Sequence, residues 1–238
     1  PLGWCAGSLA DWVAQRLGAK LPLHGELPCP RCATPSGQGV SALLYDAGCE
    51  SCARRAYWRR PAVGALTAAL FVALAVRFGT SPSLPAELVL TAGLVALALC
   101  DLDHMILPKR LVYPTAALVG VALICAAAAE GQWGRLGVAA ACGAGSLAAF
   151  FALNFAAPAL LGFGDVRLAG LIGLGVGWMG VGYVLLGFFS GAVLASVVGL
   201  GLVALRLGTM KTKLPFGVFL AAGAVLSVLV ARPFLPLS

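Results

Sequence analysis

From residue 62 to the end, the chain is a succession of apolar runs long enough to cross a bilayer, broken only by short polar turns. A hydrocarbon core of about 30 Å needs roughly 20 helical residues, with every backbone polar group satisfied inside the segment. Runs near 62–78, 84–100, 112–129, 135–157, 180–205 and 214–236 meet that requirement, and a shorter run over 166–179 reads as a further span. Residues 1–17 read as the later part of a first span. Charged residues make up 11% of the chain, against about 25% in soluble domains, and 61% are hydrophobic. Mean hydropathy is +0.96. The expected architecture is all-α, a polytopic membrane helix bundle of about eight spans, the first of them truncated.

The net charge of +7 is topological rather than a nucleic-acid footprint. Thirteen of the sixteen Lys and Arg fall in alternate connections, from Arg16 through Arg60, at Lys109, Arg110 and Arg167, and from Arg206 to Lys213. The other side holds Arg77, Arg135 and Arg232. By the positive-inside rule the richer set faces the cytoplasm, and this alternation supports eight spans. Three zones follow: 1–17, the remnant of the first span; 18–61, a polar segment rich in Pro, Gly, Cys and Arg; and 62–238, the bundle. Glycines such as Gly137, Gly143, Gly145, Gly170, Gly173, Gly187 and Gly191 recur at spacings that let membrane helices approach closely.

The polar zone carries Cys29-Pro30-Arg31-Cys32 and Cys49-Glu50-Ser51-Cys52, a C-x2-C-x16-C-x2-C array. Four thiolates on two tight turns can close on one tetrahedral zinc, and four protein ligands leave no position open for water. Cys29, Cys32, Cys49 and Cys52 are therefore the expected ligands of a structural zinc. The competing reading is a pair of reducible disulfides, which a cytoplasmic location disfavours, or free thiols. Cys5, Cys100, Cys125 and Cys142 lie in apolar runs and read as small hydrophobes.

Two aspartates interrupt the apolar pattern. Asp101 lies in Leu99-Cys100-Asp101-Leu102-Asp103-His104, ahead of Leu107-Pro108, and Asp165 lies in Gly162-Phe163-Gly164-Asp165-Val166-Arg167-Leu168. Carboxylates beside a bilayer are expensive to place and point to function by default. The bland alternatives are a helix-capping aspartate at 165 and interfacial charges at 101 and 103. Asp101 and Asp103 are separated by about 200° around a helix, so only one of them turns into a site. Two carboxylates in contact cannot both ionise. The charged one can serve as general base on water while its protonated partner polarises a carbonyl. His104 and Arg167 read as interfacial residues, with Arg167 able also to bias a neighbouring carboxylate.

Taken together, these motifs resemble the type IV prepilin leader peptidases, polytopic Gly-x-Gly-Asp aspartyl proteases. The likeness runs over nearly the whole chain: Gly7-Ser8 through Arg16-Leu17, the Cys29–Cys52 array followed by Pro61, the segment Asp101–Pro108, the segment Gly162–Leu168, and Leu214-Pro215-Phe216-Gly217 with Ala221-Ala222-Gly223. The resemblance implies Asp101 and Asp165 as the catalytic pair, with Asp103 secondary and Gly162, Gly164 and Arg167 supporting the motif. It implies cleavage of the leader of a type IV prepilin or pseudopilin at the cytoplasmic face of the bacterial inner membrane. Many such enzymes then methylate the new amino terminus with S-adenosylmethionine. This chain departs from the family pattern at Lys109, where an acid is usual, at Arg167, usually Lys, and at Gly64, where an acid is typical.

Two other classes compete. A membrane scaffold or an ion- or proton-coupled transporter would use the zinc loop to recruit a partner, and transport would place its acids near the midplane. A metal-dependent Asp-x-Asp transferase would need no Asp165. The expected partners are pilin-like substrates and the lipid bilayer, with no nucleic acid.

Overall fold

The computed structural model describes residues 2–18, 27–28, 35–36, 59–156, 161–206 and 214–230. Eight helices lie among them: α1 (Leu2–Gly18), α2 (Arg59–Phe78), α3 (Leu84–His104), α4 (Lys109–Glu130), α5 (Trp133–Ala156), α6 (Phe163–Val176), α7 (Val181–Ala204) and α8 (Phe216–Val230). Each coincides with a run expected to span. A two-residue antiparallel pair, β1 (Leu27–Pro28) with β2 (Pro35–Ser36), is the only sheet among the described residues. Cys29, Cys32, Cys49 and Cys52 lie outside the described residues.

Five helices, α2 from Pro61 onward, α3, α4, α5 and α7, are long and apolar enough to cross a membrane. At about 1.5 Å per residue, α6 and α8 reach only about 21 and 22 Å. The span expected over 166–179 is completed by a 3-10 turn at Gly177–Met179.

Local chemistry stops the helices where the sequence suggests. Gly79 and Gly131 take positive φ just past the ends of α2 and α4, the left-handed cap that glycine adopts without penalty. Pro108, in extended conformation, leads directly into α4. Met105 is the exception. It caps α3 in the left-handed region (φ 50°, ψ 37°), its N–H bonded to the Asp101 carbonyl, where a Cβ costs about 1–2 kcal/mol. Met105→Gly is therefore expected to stabilise the protein by about 1 kcal/mol and raise its melting temperature by roughly 2–4 °C. Differential scanning fluorimetry in detergent would detect that rise.

The third helix is the axis of the bundle. Half of its apolar window is buried, against 11% for α5 and 17% for α7, and it packs on α1, α2, α4, α6 and α8. Leu90, Leu94 and Leu97 are its deepest side chains, meeting Leu123 of α4 and Leu168 and Ile172 of α6 in one core cluster. Glycines make several of these contacts close. A Cβ on Gly175 would run into Leu90, and one on Gly191 would lie 2.8 Å from the Phe219 carbonyl of α8. Gly137 and Gly145 face open space instead, so the packing role expected of glycine does not extend to them. Short connections make successive helices antiparallel. The end of α3 and the starts of α4, α6 and α8 consequently gather at one end of the bundle.

Candidate active site

Asp101 is carried on the last turn of α3 and is 6% exposed. It faces the start of α8, where Gly217 lies so near that a Cβ there would fall 2.9 Å from its Oδ2. Oδ2 itself meets no donor at hydrogen-bonding geometry among the described residues. The first amides of a helix lack partners and form the positive end of its dipole, so they favour an anion. Asp103, two positions on, is exposed, as the 200° separation requires.

Asp165 lies in the first turn of α6. Its Oδ2 accepts a hydrogen bond from the Gly162 N–H (3.1 Å), and its own N–H donates to the Gly162 carbonyl (3.0 Å). The capping interaction is thus present, supplied from the third helical position rather than from the cap itself. It orients the carboxyl instead of excluding it from a site. Asn154, near the end of α5, donates to the Leu161 carbonyl (2.6 Å) and fixes the chain just ahead of α6. Leu107 packs on Gly164, next to Asp165, and on Gly217, next to the Asp101 carboxyl, so the carboxyl-bearing ends of α3 and α6 lie at one end of the bundle within electrostatic reach of each other.

Leu107 fills the space that joins these elements. A Cβ on Gly164 would fall 2.8 Å from Leu107 Cβ, and one on Gly217 would fall 2.9 Å from Asp101 Oδ2 and 3.2 Å from Leu107 Cδ1. Both glycines are thus required by close approach. Arg167 lays its guanidinium over the rings of Phe163 (5.4 Å) and Tyr113 (6.0 Å), a cation–π arrangement. His104 is exposed.

The description "Type IV leader peptidase family" belongs to the family model that matches residues 88–203, a stretch bearing both aspartates. The prepilin leader peptidase/N-methyltransferase of Bacillus subtilis is 28% identical over 222 residues, covering 89% of this chain and 86% of that protein. Its namesake from Pseudomonas aeruginosa is 34% identical over 215 residues (84% and 70%), and that from Aeromonas salmonicida 31% over 211 (84% and 70%). The chain belongs to the type IV leader peptidase family. No solved structure matches it.

Within this leader peptidase family member, sequence reasoning noticed Leu214–Gly217 only as a motif without a role. The fold places Gly217 against the Asp101 carboxyl. The available signal was a proline followed by a glycine at a helix start, since Pro215 presets the first turn and Gly217 admits a neighbour. Leu107 carried no signal at all beyond its place before Pro108. Gly64, where the family pattern has an acid, packs against α1: a Cβ there would lie 3.1 Å from the Trp4 ring. A longer side chain at 64 would require Trp4 to move.

Proposed function

We propose that this chain is a membrane aspartyl endopeptidase that removes the leader of type IV prepilin or pseudopilin substrates. The observation that carries the reading is the convergence of Asp101 and Asp165, from α3 and α6, at one end of the bundle. Asp101 and Asp165 act as a dyad holding one proton between them, because like charges in proximity do not both ionise. The ionised carboxylate takes a proton from water as it attacks the scissile carbonyl. The protonated one donates toward the carbonyl oxygen, and the proton then passes to the leaving amine. The start of α8 packs against the Asp101 carboxyl, and the Gly162 N–H orients Asp165. Gly164 lets Leu107 pack against the start of α6, and the Arg167 guanidinium lies over Phe163 and Tyr113. Asp103, being exposed, is the secondary candidate. Carboxylates at helix ends, rather than at the midplane, weigh against the scaffold or transporter reading.

The charge distribution supports a site facing the cytoplasm of a bacterial inner membrane. The division into residues 1–17, 18–61 and 62–238 belongs to the same reading. Cys29, Cys32, Cys49 and Cys52 would hold a structural zinc that folds the polar segment, on the strength of their spacing. The relatives' names pair the peptidase with an N-methyltransferase, and S-adenosylmethionine is the methyl donor that such an activity here would draw on.

The test is incubation of the purified chain, in lipid nanodiscs, with a prepilin-type substrate, and mass spectrometry of the products. One cut at the leader junction supports the reading, and a further gain of one methyl group with S-adenosylmethionine supports the second activity. Intact substrate after exposure to a folded enzyme, across pilin and pseudopilin substrates alike, would overturn it.

A further inference from the structure

From Leu147 to Gly164, just ahead of Asp165, the chain carries a single hydrogen-bonding side chain, that of Asn154. Its neighbours Phe151, Leu153 and Phe155 are exposed apolar side chains. An amide among them is costly to keep unless its donors are used. Asn154 directs one of them, from Nδ2, to the Leu161 carbonyl (2.6 Å).

That carbonyl belongs to the peptide group that also carries the Gly162 N–H, and this N–H donates to Asp165 Oδ2 (3.1 Å). The two bonds therefore lie on opposite sides of one planar unit. Fixing the carbonyl fixes the plane, and with it the direction in which the N–H points. A donor on the carbonyl oxygen also polarises the peptide group, and hydrogen bonds in such a chain strengthen one another. Each step from Asn154 to the Asp165 carboxyl is a direct hydrogen bond or a covalent plane.

The seat of Asn154 is itself firm. A Cβ on Gly170 would fall 3.0 Å from Leu147 Cδ1, one on Gly143 would fall 3.2 Å from Leu174 Cβ, and one on Gly173 would strike Ser146 and the Cys142 carbonyl. Small residues let α5 and α6 approach this closely. The contacts set an antiparallel register that brings Asn154 level with Phe163. There the rings of Phe151 and Phe163 meet edge to face, their centroids 5.9 Å apart.

We propose that Asn154 is a positioning residue for the peptidase reaction, acting through the Leu161–Gly162 peptide to hold the Asp165 carboxyl in its working orientation. Without the Asn154 donor the Leu161 carbonyl is free to turn. The Gly162 N–H turns with it, and Asp165 loses the bond that sets its carboxyl. This inference rests on the reading of Asp165 as a catalytic carboxylate.

The test compares Asn154→Leu, Asn154→Ser and Asn154→Gln in the full chain in nanodiscs. Leu keeps the branched shape of Asn and lacks the donor. A Ser hydroxyl on a helix turns back to the carbonyls of its own helix, so N154S serves if N154L folds poorly. Gln keeps the amide one methylene further out. The readouts are a melting curve, kcat and KM on a prepilin-type substrate, and hydrogen exchange of the peptide containing Gly162. In N154L and N154S, kcat is expected to fall about tenfold, as a small misplacement of a catalytic group produces. KM should stay within about twofold, since the loss is confined to the transition state. Exchange at Gly162 should quicken in both. N154Q should recover most of kcat and the slow exchange. Wild-type kcat in folded N154L or N154S would overturn the proposal. So would a loss carried by KM alone, or losses in N154Q equal to those in N154L. If the wild type cuts no substrate, the peptidase reading fails by itself, and exchange at Gly162 then decides whether Asn154 holds the peptide.

Discussion

Replacing either Asp101 or Asp165 by Asn is expected to lower kcat for leader cleavage by about 10³-fold or more, with the fold intact. General acid–base groups contribute about 10²–10⁴-fold each, and a dyad loses most of its power when either member cannot carry the shared proton. The double variant should therefore be little worse than either single one, because groups that act as a unit are not additive. Stability should be retained for specific reasons. An Asn at 165 keeps a side-chain oxygen for the Gly162 N–H that closes the first turn of α6. An Asn at 101 keeps the size and shape of the side chain beside Gly217 without the cost of a buried charge. Asp103→Asn, at an exposed position, should stay within about threefold of wild type, as surface changes usually do. Product mass and a melting curve for each variant decide the matter. Cleavage surviving in a folded D101N or D165N would remove that aspartate from the chemistry.

The second large effect is expected at Gly217, a residue with no reactive group. A β-carbon there would lie 2.9 Å from Asp101 Oδ2 and 3.2 Å from Leu107 Cδ1, so it would turn the Asp101 carboxyl away from its place. Asp101 and Leu107 are both buried, and Leu107 is also pressed against Gly164 from the α6 side. A side chain at 217 must displace either the carboxyl or the start of α8. Displacements near 1 Å in such groups cost about 10²-fold. Gly217→Ala should lower kcat by about tenfold and Gly217→Val by about 10²-fold or more, each with KM nearly unchanged. Ala would relieve nothing at this site but raise helix propensity by about 1 kcal/mol. A stable but slow G217A is therefore the informative result, whereas an active G217V would show that α8 does not press on Asp101.

Much of this protein was legible as a one-dimensional pattern. Bilayer thickness demands apolar runs of a set length, so the helices from α2 to α8 could be bounded from hydropathy and from Gly79, Gly131 and Pro108. Asp101 and Asp165 stood out because a carboxylate is rare in such surroundings. The antiparallel order, which brings both to one end, followed from short connections. Asn154, equally set among apolar residues, escaped notice, since an uncharged amide near a helix end reads as an ordinary interfacial side chain.

Sequence by itself therefore determined the class of fold, the number and limits of its helices, and the two carboxylates worth suspecting, because hydropathy and chain-breaking residues act locally. Only tertiary structure decided that Asp101 rather than Asp103 is buried, that Gly217 of α8 packs against it, and that Leu107 lies between two glycines. It also decided that Arg77 reaches from α2 across to the Leu229 carbonyl. These facts depend on how helices rotate and slide against one another. That is set by close packing among residues far apart in the chain, for which a single sequence carries no periodic signal.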